Sequence, residues 1–177
     1  MDVAEDFSGG VLMKARNLLL PMGMVLAIVA PACTTAQDAS TGDLEAVKAQ
    51  FVGHYELVIY ESFRSNGEVV DMNYIGRILY DEHDNMSAIG MPKYLPARAR
   101  ESSELVQRGL AYWGKVSFDL PNGIVIHHVE GSPTRGRWPG VDNIRYFEFT
   151  DEGLLKLSLK NAEGQTTGTL TWRKIES

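Results

Sequence analysis

The feature that most constrains this chain is a series of eight short segments in which apolar and polar residues alternate. The segments span residues 54–61, 75–81, 86–91, 112–120, 123–130, 143–150, 154–160 and 166–175. β-Branched and aromatic residues are common in them, and a period of two is typical of strands with one buried face. The clearest case is Leu155, Leu157 and Leu159, which alternate with polar residues. The sequence therefore predicts an all-β domain.

Short turn-forming sequences join most of these segments. Residues 64–67, 82–85, 121–123, 151–153 and 161–164 are rich in Asn, Asp and Gly, which favour tight turns between antiparallel neighbours. Sequential antiparallel strands with one apolar face form either a sandwich or a closed barrel, and closure leaves no edge strand. We therefore predict an eight-stranded antiparallel up-and-down β-barrel, a size that encloses one small ligand.

Two short helices are expected beside the strands. Leu44, Val47 and Phe51 recur at helical spacing and predict a helix just before the first strand. Residues 92–96 interrupt the strand pattern with two prolines, and residues 102–111 then predict a second helix, between the third and fourth strands. A helix of that length is able to cover one end of a barrel.

The composition excludes several classes of protein. Hydrophobic residues make up 44% and charged residues 23% of the chain, so a packed core is expected rather than disorder. The net charge is -6 and no run of Lys or Arg occurs, which argues against nucleic acid as a partner. The single cysteine, Cys33, excludes an internal disulfide and a cysteine-based zinc site. We expect no metal and no cofactor.

The N-terminal region is typical of an export signal. Lys14 and Arg16 precede an apolar run that is too short for a stable membrane span, and small residues follow in Ala30-Pro31-Ala32-Cys33. The predicted division of the chain is an upstream extension over 1–12, a signal peptide over 13–36, a linker over 37–43 and the barrel domain over 44–177.

Three outcomes of processing stay open. Cys33 is the candidate for lipidation, as the first residue of a mature bacterial lipoprotein. The alternatives are ordinary cleavage after Ala32 or Ala36, and an uncleaved anchor. We predict an exported monomer of the bacterial periplasm or envelope, which contacts the membrane only through a lipid at Cys33.

Several motifs resemble one family along nearly the whole predicted domain. Gly53-His54-Tyr55 opens the first strand, His127-His128-Val129-Glu130-Gly131-Ser132 is followed by Trp138, and Arg145-Tyr146-Phe147-Glu148 and Trp172-Arg173 follow later. In these stretches the chain resembles the bacterial and fungal lipocalin-like domain family. The resemblance implies a calycin-type barrel without one shared activity. It also implies that Arg173 packs across the ring of Tyr55 and closes the narrow end by a cation–π contact.

Polar residues on two neighbouring strands are the first candidates for a site. His127 and His128 point to opposite faces of their strand, whereas His128 and Glu130 share one face. That pair is interpreted either as a ligand anchor or acid–base couple, or as a structural polar network near the rim. Arg145 on the next strand offers a guanidinium fork to Glu130 or to a ligand carboxylate.

Aromatic residues complete the predicted ligand site. Trp138 lies in the long connection 131–141 and is expected to gate the barrel mouth. Tyr80, Tyr112 and Phe147 are expected to line the interior as core or as binding surface. The predicted ligand-binding residues are Tyr80, Tyr112, His128, Glu130, Trp138, Arg145 and Phe147.

The function favoured by these patterns is non-enzymatic binding of a small, largely apolar molecule inside the barrel. An isomerase- or cyclase-type enzyme that uses the same cavity, and an envelope lipoprotein that contacts another protein, are the alternatives. A Gly-rich phosphate loop, a Gly-x-Ser-x-Gly elbow and a His-Glu-x-x-His motif are absent from the sequence.

Overall fold

The computed structural model describes residues 36–95 and 108–176, with the side chains of the first helix described from residue 42. The elements are helix α1 (Ala36–Phe51) and strands β1 (Gly53–Phe63), β2 (Val69–Asp71), β3 (Tyr74–Tyr80), β4 (Asn85–Pro92), β5 (Leu110–Asp119), β6 (Ile124–Gly131), β7 (Asp142–Phe149), β8 (Leu154–Lys160) and β9 (Thr166–Lys174). A short 3-10 turn, Leu120–Asn122, links β5 to β6.

The strands form a closed antiparallel barrel. Each neighbour in the order β1-β3-β4-β5-β6-β7-β8-β9 pairs with the next, and β9 pairs back with β1. The prediction of an eight-stranded up-and-down barrel is therefore confirmed, and each predicted strand differs from the observed one by at most two residues at either end. Strand β2, which the sequence did not predict, pairs with the far end of β1.

Helix α1 is longer than predicted. It begins at Ala36 and includes residues 37–43, the predicted linker. The second predicted helix, over 102–111, falls mostly on residues outside the described ranges, and Leu110 and Ala111 begin β5. Among the described residues, no helix combines the length and the apolar character needed to cross a membrane.

Phe51, the last residue of α1, closes the end of the barrel where β1 begins. It is 1% exposed, and its ring packs edge-on against four aromatic rings with centroid distances of 4.9–5.2 Å. These rings belong to Tyr80, Phe118, Phe147 and Phe149. Such edge-to-face pairs stabilise a core beyond the burial of their area. We call Phe51 and these four rings the aromatic floor.

Tyr55 ties the C-terminus of α1 to the barrel. Its hydroxyl lies 2.9 Å from the carbonyl oxygens of Gln50 and Phe51, and Lys174 Nζ donates to the Gln50 carbonyl at 3.2 Å. These donors satisfy carbonyls that have no partner within a helix, and the lysine charge complements the helix dipole.

The predicted contact between Arg173 and Tyr55 is wrong. Arg173 is exposed, and its Nη1 lies 3.5 Å from Glu56 Oε1 on the outer wall. The cation near the Tyr55 ring is Lys174, with Nζ 5.7 Å from the ring centroid. The physical reason is the parity of β9. Trp172 is buried in the interior, so Arg173, its neighbour, must point outward.

Candidate functional site

An internal cavity of about 200 Å³ lies in the barrel. Its apolar wall includes Leu57, Ile78, Ala88, Leu157, Leu170 and Trp172. Its polar side is formed by Tyr112, His127 and Arg145, which come from the consecutive strands β5, β6 and β7. Trp138 and Arg135, from the connection between β6 and β7, also line it. The cavity therefore combines an apolar wall with one polar side.

His127 is the centre of the polar side. It is fully buried, and both ring nitrogens are hydrogen-bonded to tyrosine hydroxyls. Tyr80 Oη lies 2.8 Å from Nε2, and Tyr112 Oη lies 2.9 Å from Nδ1. Tyr80 also packs against Phe51, so this Tyr80–His127–Tyr112 network connects the aromatic floor to the cavity.

Burial determines the charge of this network. Desolvation lowers the pKa of His127 well below its ordinary value, and the positive charge of Arg145 lowers it further. Burial raises the pKa of Tyr80 well above its ordinary value and also raises the pKa of Tyr112, although the Arg145 charge opposes both shifts. All three side chains are therefore neutral near pH 7.

The depressed pKa of His127 predicts a stability that falls as the pH is lowered. The unfolded chain gains a proton on this imidazole below about pH 6.5, whereas the folded state does not. Unfolding therefore becomes easier as the pH decreases through that value, by at most about 1.4 kcal/mol per pH unit from this group. Urea unfolding at pH 7.5, 6.5 and 5.5 measures the slope.

A His127→Gln variant separates this effect from other titrations. It should be less stable than the wild type at pH 7.5, because its amide does not reproduce the two tyrosine contacts, but its stability should change less with pH. His54 is exposed on β1, so His54→Gln should retain the wild-type slope. Equal slopes for His127→Gln and the wild type would contradict the assignment.

Three arginines line the cavity: Arg108, Arg135 and Arg145. No aspartate or glutamate is among the lining residues that the structure describes, and none of these arginines forms an ion pair with a described carboxylate. Arg145 Nη1 donates to its neighbouring Ile144 carbonyl at 2.8 Å. Arg135 lies 5.8 Å from the ring centroid of Trp138. The cavity is thus positive although the whole chain is acidic.

The predicted ligand-binding residues separate into three groups. Tyr112, Trp138 and Arg145 line the cavity, and the Tyr112 and Trp138 rings pack edge-on at 5.2 Å. The second group, Tyr80 and Phe147, belongs to the aromatic floor. Tyr80 lies behind His127 and does not line this cavity.

The third group, His128 and Glu130, lies on the outer wall, so the prediction that this pair serves the interior is wrong. His128 Nδ1 lies 2.7 Å from Asp142 Oδ1, and its Nε2 lies 2.8 Å from Ser117 Oγ. This connectivity matches that of a serine–histidine–aspartate triad. However, the His128 and Asp142 side chains are 41% and 58% exposed, whereas activated serines act in water-excluded sites with preorganised oxyanion donors. We interpret the Ser117–His128–Asp142 arrangement as a cross-strand polar network.

Sequence reasoning missed His127 as the interior histidine. Residues 124–126 are apolar on both faces of β6, so they do not identify the buried face. The informative signal is further along the strand, where Val129 shares the parity of His127 and the charged Glu130 shares that of His128. Placing the charge outside would have placed His127 inside.

Comparison with known proteins shows no family for this chain. Neither the protein-family models nor the curated proteins match the sequence. Among solved structures, the chain is similar to a redesigned β-barrel, with 11% identity, a TM-score of 0.41, and coverage of 73% of this chain and 95% of that one. The fold assignment rests on the strand pairings above. Within the described residues, no three His, Cys, Asp or Glu side chains are grouped to hold a metal ion.

Proposed function

We propose that this lipocalin-like barrel binds a small, largely apolar molecule in its internal cavity. The observation that carries the proposal is a cavity of about 200 Å³ with a leucine-rich wall, located where one polar side is able to orient a ligand. An apolar wall provides affinity by removing ligand surface from water, and a few polar groups provide orientation.

The cavity volume limits the size of the ligand. Sites for drug-sized molecules usually measure roughly 300–1,000 Å³, and an apolar cavity of roughly 150 Å³ holds benzene. A cavity of about 200 Å³ therefore suits a single substituted ring or a short chain.

A cavity-filling substitution tests the proposal. Gly90 is buried on β4 and lines the cavity, and a Cβ atom there would meet its neighbours only at ordinary contact distances of 3.5 Å or more. We expect the neutral probe 4-ethylacetophenone to bind the wild type saturably, with one site per chain, and Gly90→Leu to weaken it at least tenfold. Two-dimensional NMR measures binding at the Trp172 indole N–H.

Ile89→Leu is the matched control, because Ile89 neighbours Gly90 but is 58% exposed on the outer wall. It should bind the probe as the wild type does. Shifts that never saturate in the wild type, or unchanged affinity in a folded Gly90→Leu variant, would contradict binding in this cavity.

Two further parts of the proposal rest on the sequence. The enzyme alternative assigned acid–base chemistry to His128 and Glu130, and their place on the outer wall favours binding over catalysis. We also propose export, with residues 13–36 as the signal and Cys33 as the candidate lipid site. The intact mass of protein isolated from a bacterial envelope distinguishes lipidation at Cys33 from cleavage after Ala32 or Ala36.

A further inference from the structure

We propose that the ligand carries a carboxylate, which accepts hydrogen bonds from Tyr112 and Arg145. This inference rests on the proposed function, because it specifies the polar end of the molecule bound in the same cavity. It follows from the hydrogen-bond inventory of the cavity and from the sign of its charge.

The hydroxyl of Tyr80 is fully buried. Its only partner among the described residues is His127 Nε2, at 2.8 Å. A buried hydroxyl hydrogen without an acceptor is costly, so Tyr80 donates to Nε2. The neutral imidazole then carries its hydrogen on Nδ1 and donates to the oxygen of Tyr112 at 2.9 Å.

This arrangement leaves the hydroxyl hydrogen of Tyr112 available. Tyr112 lines the cavity, and its oxygen already accepts from His127. The described residues offer its O–H group no further acceptor, so this hydrogen is available to another molecule. The Tyr80–His127–Tyr112 network therefore presents a hydrogen-bond donor to any ligand. The donor points toward the cavity because the buried Tyr80 hydroxyl must donate to His127.

A second, independent observation also indicates a ligand that accepts hydrogen bonds. Trp172 lines the cavity and is 3% exposed, and its Nε1–H has no partner among the described residues. Indole nitrogen is a donor only. Together with the Arg145 guanidinium, the polar groups of the cavity therefore offer donors and lack a carboxylate acceptor within the described residues.

The net charge of these groups selects the ligand class. Cavity arginines that have no acidic partner in the described part of the chain favour an anion, and burying an unpaired cation against them would be unfavourable. A carboxylate presents two planar oxygens, which match the fork of an arginine and leave room for a tyrosine donor. In a cavity of about 200 Å³, one such group on a ring or short chain fits both the polar side and the apolar wall.

Three probes of one shape test the inference: 4-ethylbenzoate, the neutral 4-ethylacetophenone and the cationic 4-ethylbenzylamine. Calorimetric titration of the full domain should give a dissociation constant for the benzoate at least tenfold below that of the ketone, because charge-assisted hydrogen bonds contribute more than neutral ones. The amine should bind more weakly than the ketone. Arg145→Met should remove most of the acid-over-ketone preference, and Tyr112→Phe should weaken the acid about tenfold.

Arg77→Met is the matched control, since Arg77 lies on the outer wall beside Glu56, and it should leave all three affinities unchanged. Retained ketone binding shows that a variant still has a folded cavity. If the ketone binds in the cavity but the acid is no tighter, or the amine equals the acid, the carboxylate assignment is overturned while the proposed function stands. If no probe binds the wild type, both are overturned.

Discussion

Replacing Phe51 with alanine is expected to lower the free energy of unfolding by about 3–5 kcal/mol, the usual range for a buried phenylalanine. Phe51 is 1% exposed and contacts all four other rings of the aromatic floor. Its removal leaves a void that these rings cannot fill without rotating out of their edge-on contacts. Equilibrium urea unfolding followed by far-UV circular dichroism measures the change.

The matched control is an aromatic residue on the surface. Tyr94 is 72% exposed, so Tyr94→Ala should change the free energy of unfolding by less than about 0.5 kcal/mol. Phe51→Leu should lose less than Phe51→Ala, because it retains most of the volume. A Phe51→Ala variant as stable as Tyr94→Ala would show that α1 does not close the barrel.

Replacing Gly114 with alanine is expected to cost about 3 kcal/mol or more, at the upper end of the effects of overpacking. A Cβ atom at this position would overlap the carbonyl oxygen of His128 and lie 2.9 Å from the amide nitrogen of Glu130. Both are backbone atoms of β6, which cannot move aside as a flexible side chain does. The overlap therefore requires the two strands to separate.

The site of this overlap is a β-bulge. Trp113 pairs with Gly131 and Gly114 with Val129, so β6 contains one extra residue, Glu130, between the two pairs. Bulges strengthen the local twist and re-aim side chains. On the far side of the bulge, Val116 pairs with His127, and His127 is buried inside the barrel. The position of His127 in the site therefore depends on the bulge.

Gly136→Ala provides the control for this prediction. A Cβ atom at Gly136 meets no atom of residues 36–95 or 108–176 within 4 Å, so the substitution should change stability by less than about 0.5 kcal/mol. Thermal unfolding of the wild type, Gly114→Ala and Gly136→Ala measures their stability. NMR spectra of the folded proteins measure the strand register. Wild-type stability in Gly114→Ala would mean that the close approach of β5 and β6 is not required.

Part of the candidate site can be predicted from the sequence and part cannot. Tyr112, Trp138 and Arg145 were predicted near the interior, and all three line the cavity. The shared face of His128 and Glu130 favours His128 from sequence, whereas the barrel buries His127. Arg173 was assigned to Tyr55 although the burial of its neighbour Trp172 sends it outward. Each error is one of parity, which a single strand with mixed faces does not resolve.

The eight strands and their antiparallel order were determined by the sequence itself, because alternation and turn chemistry act between residues a few positions apart. The face that each ambiguous strand buries was decided only by the tertiary structure, through pairing with strands far along the chain. The same holds for the aromatic floor and the Tyr80–His127–Tyr112 network. Tyr80 and His127 are 47 residues apart along the chain, and Phe51 and Phe149 are farther apart still. Only closure of the barrel brings these side chains into contact.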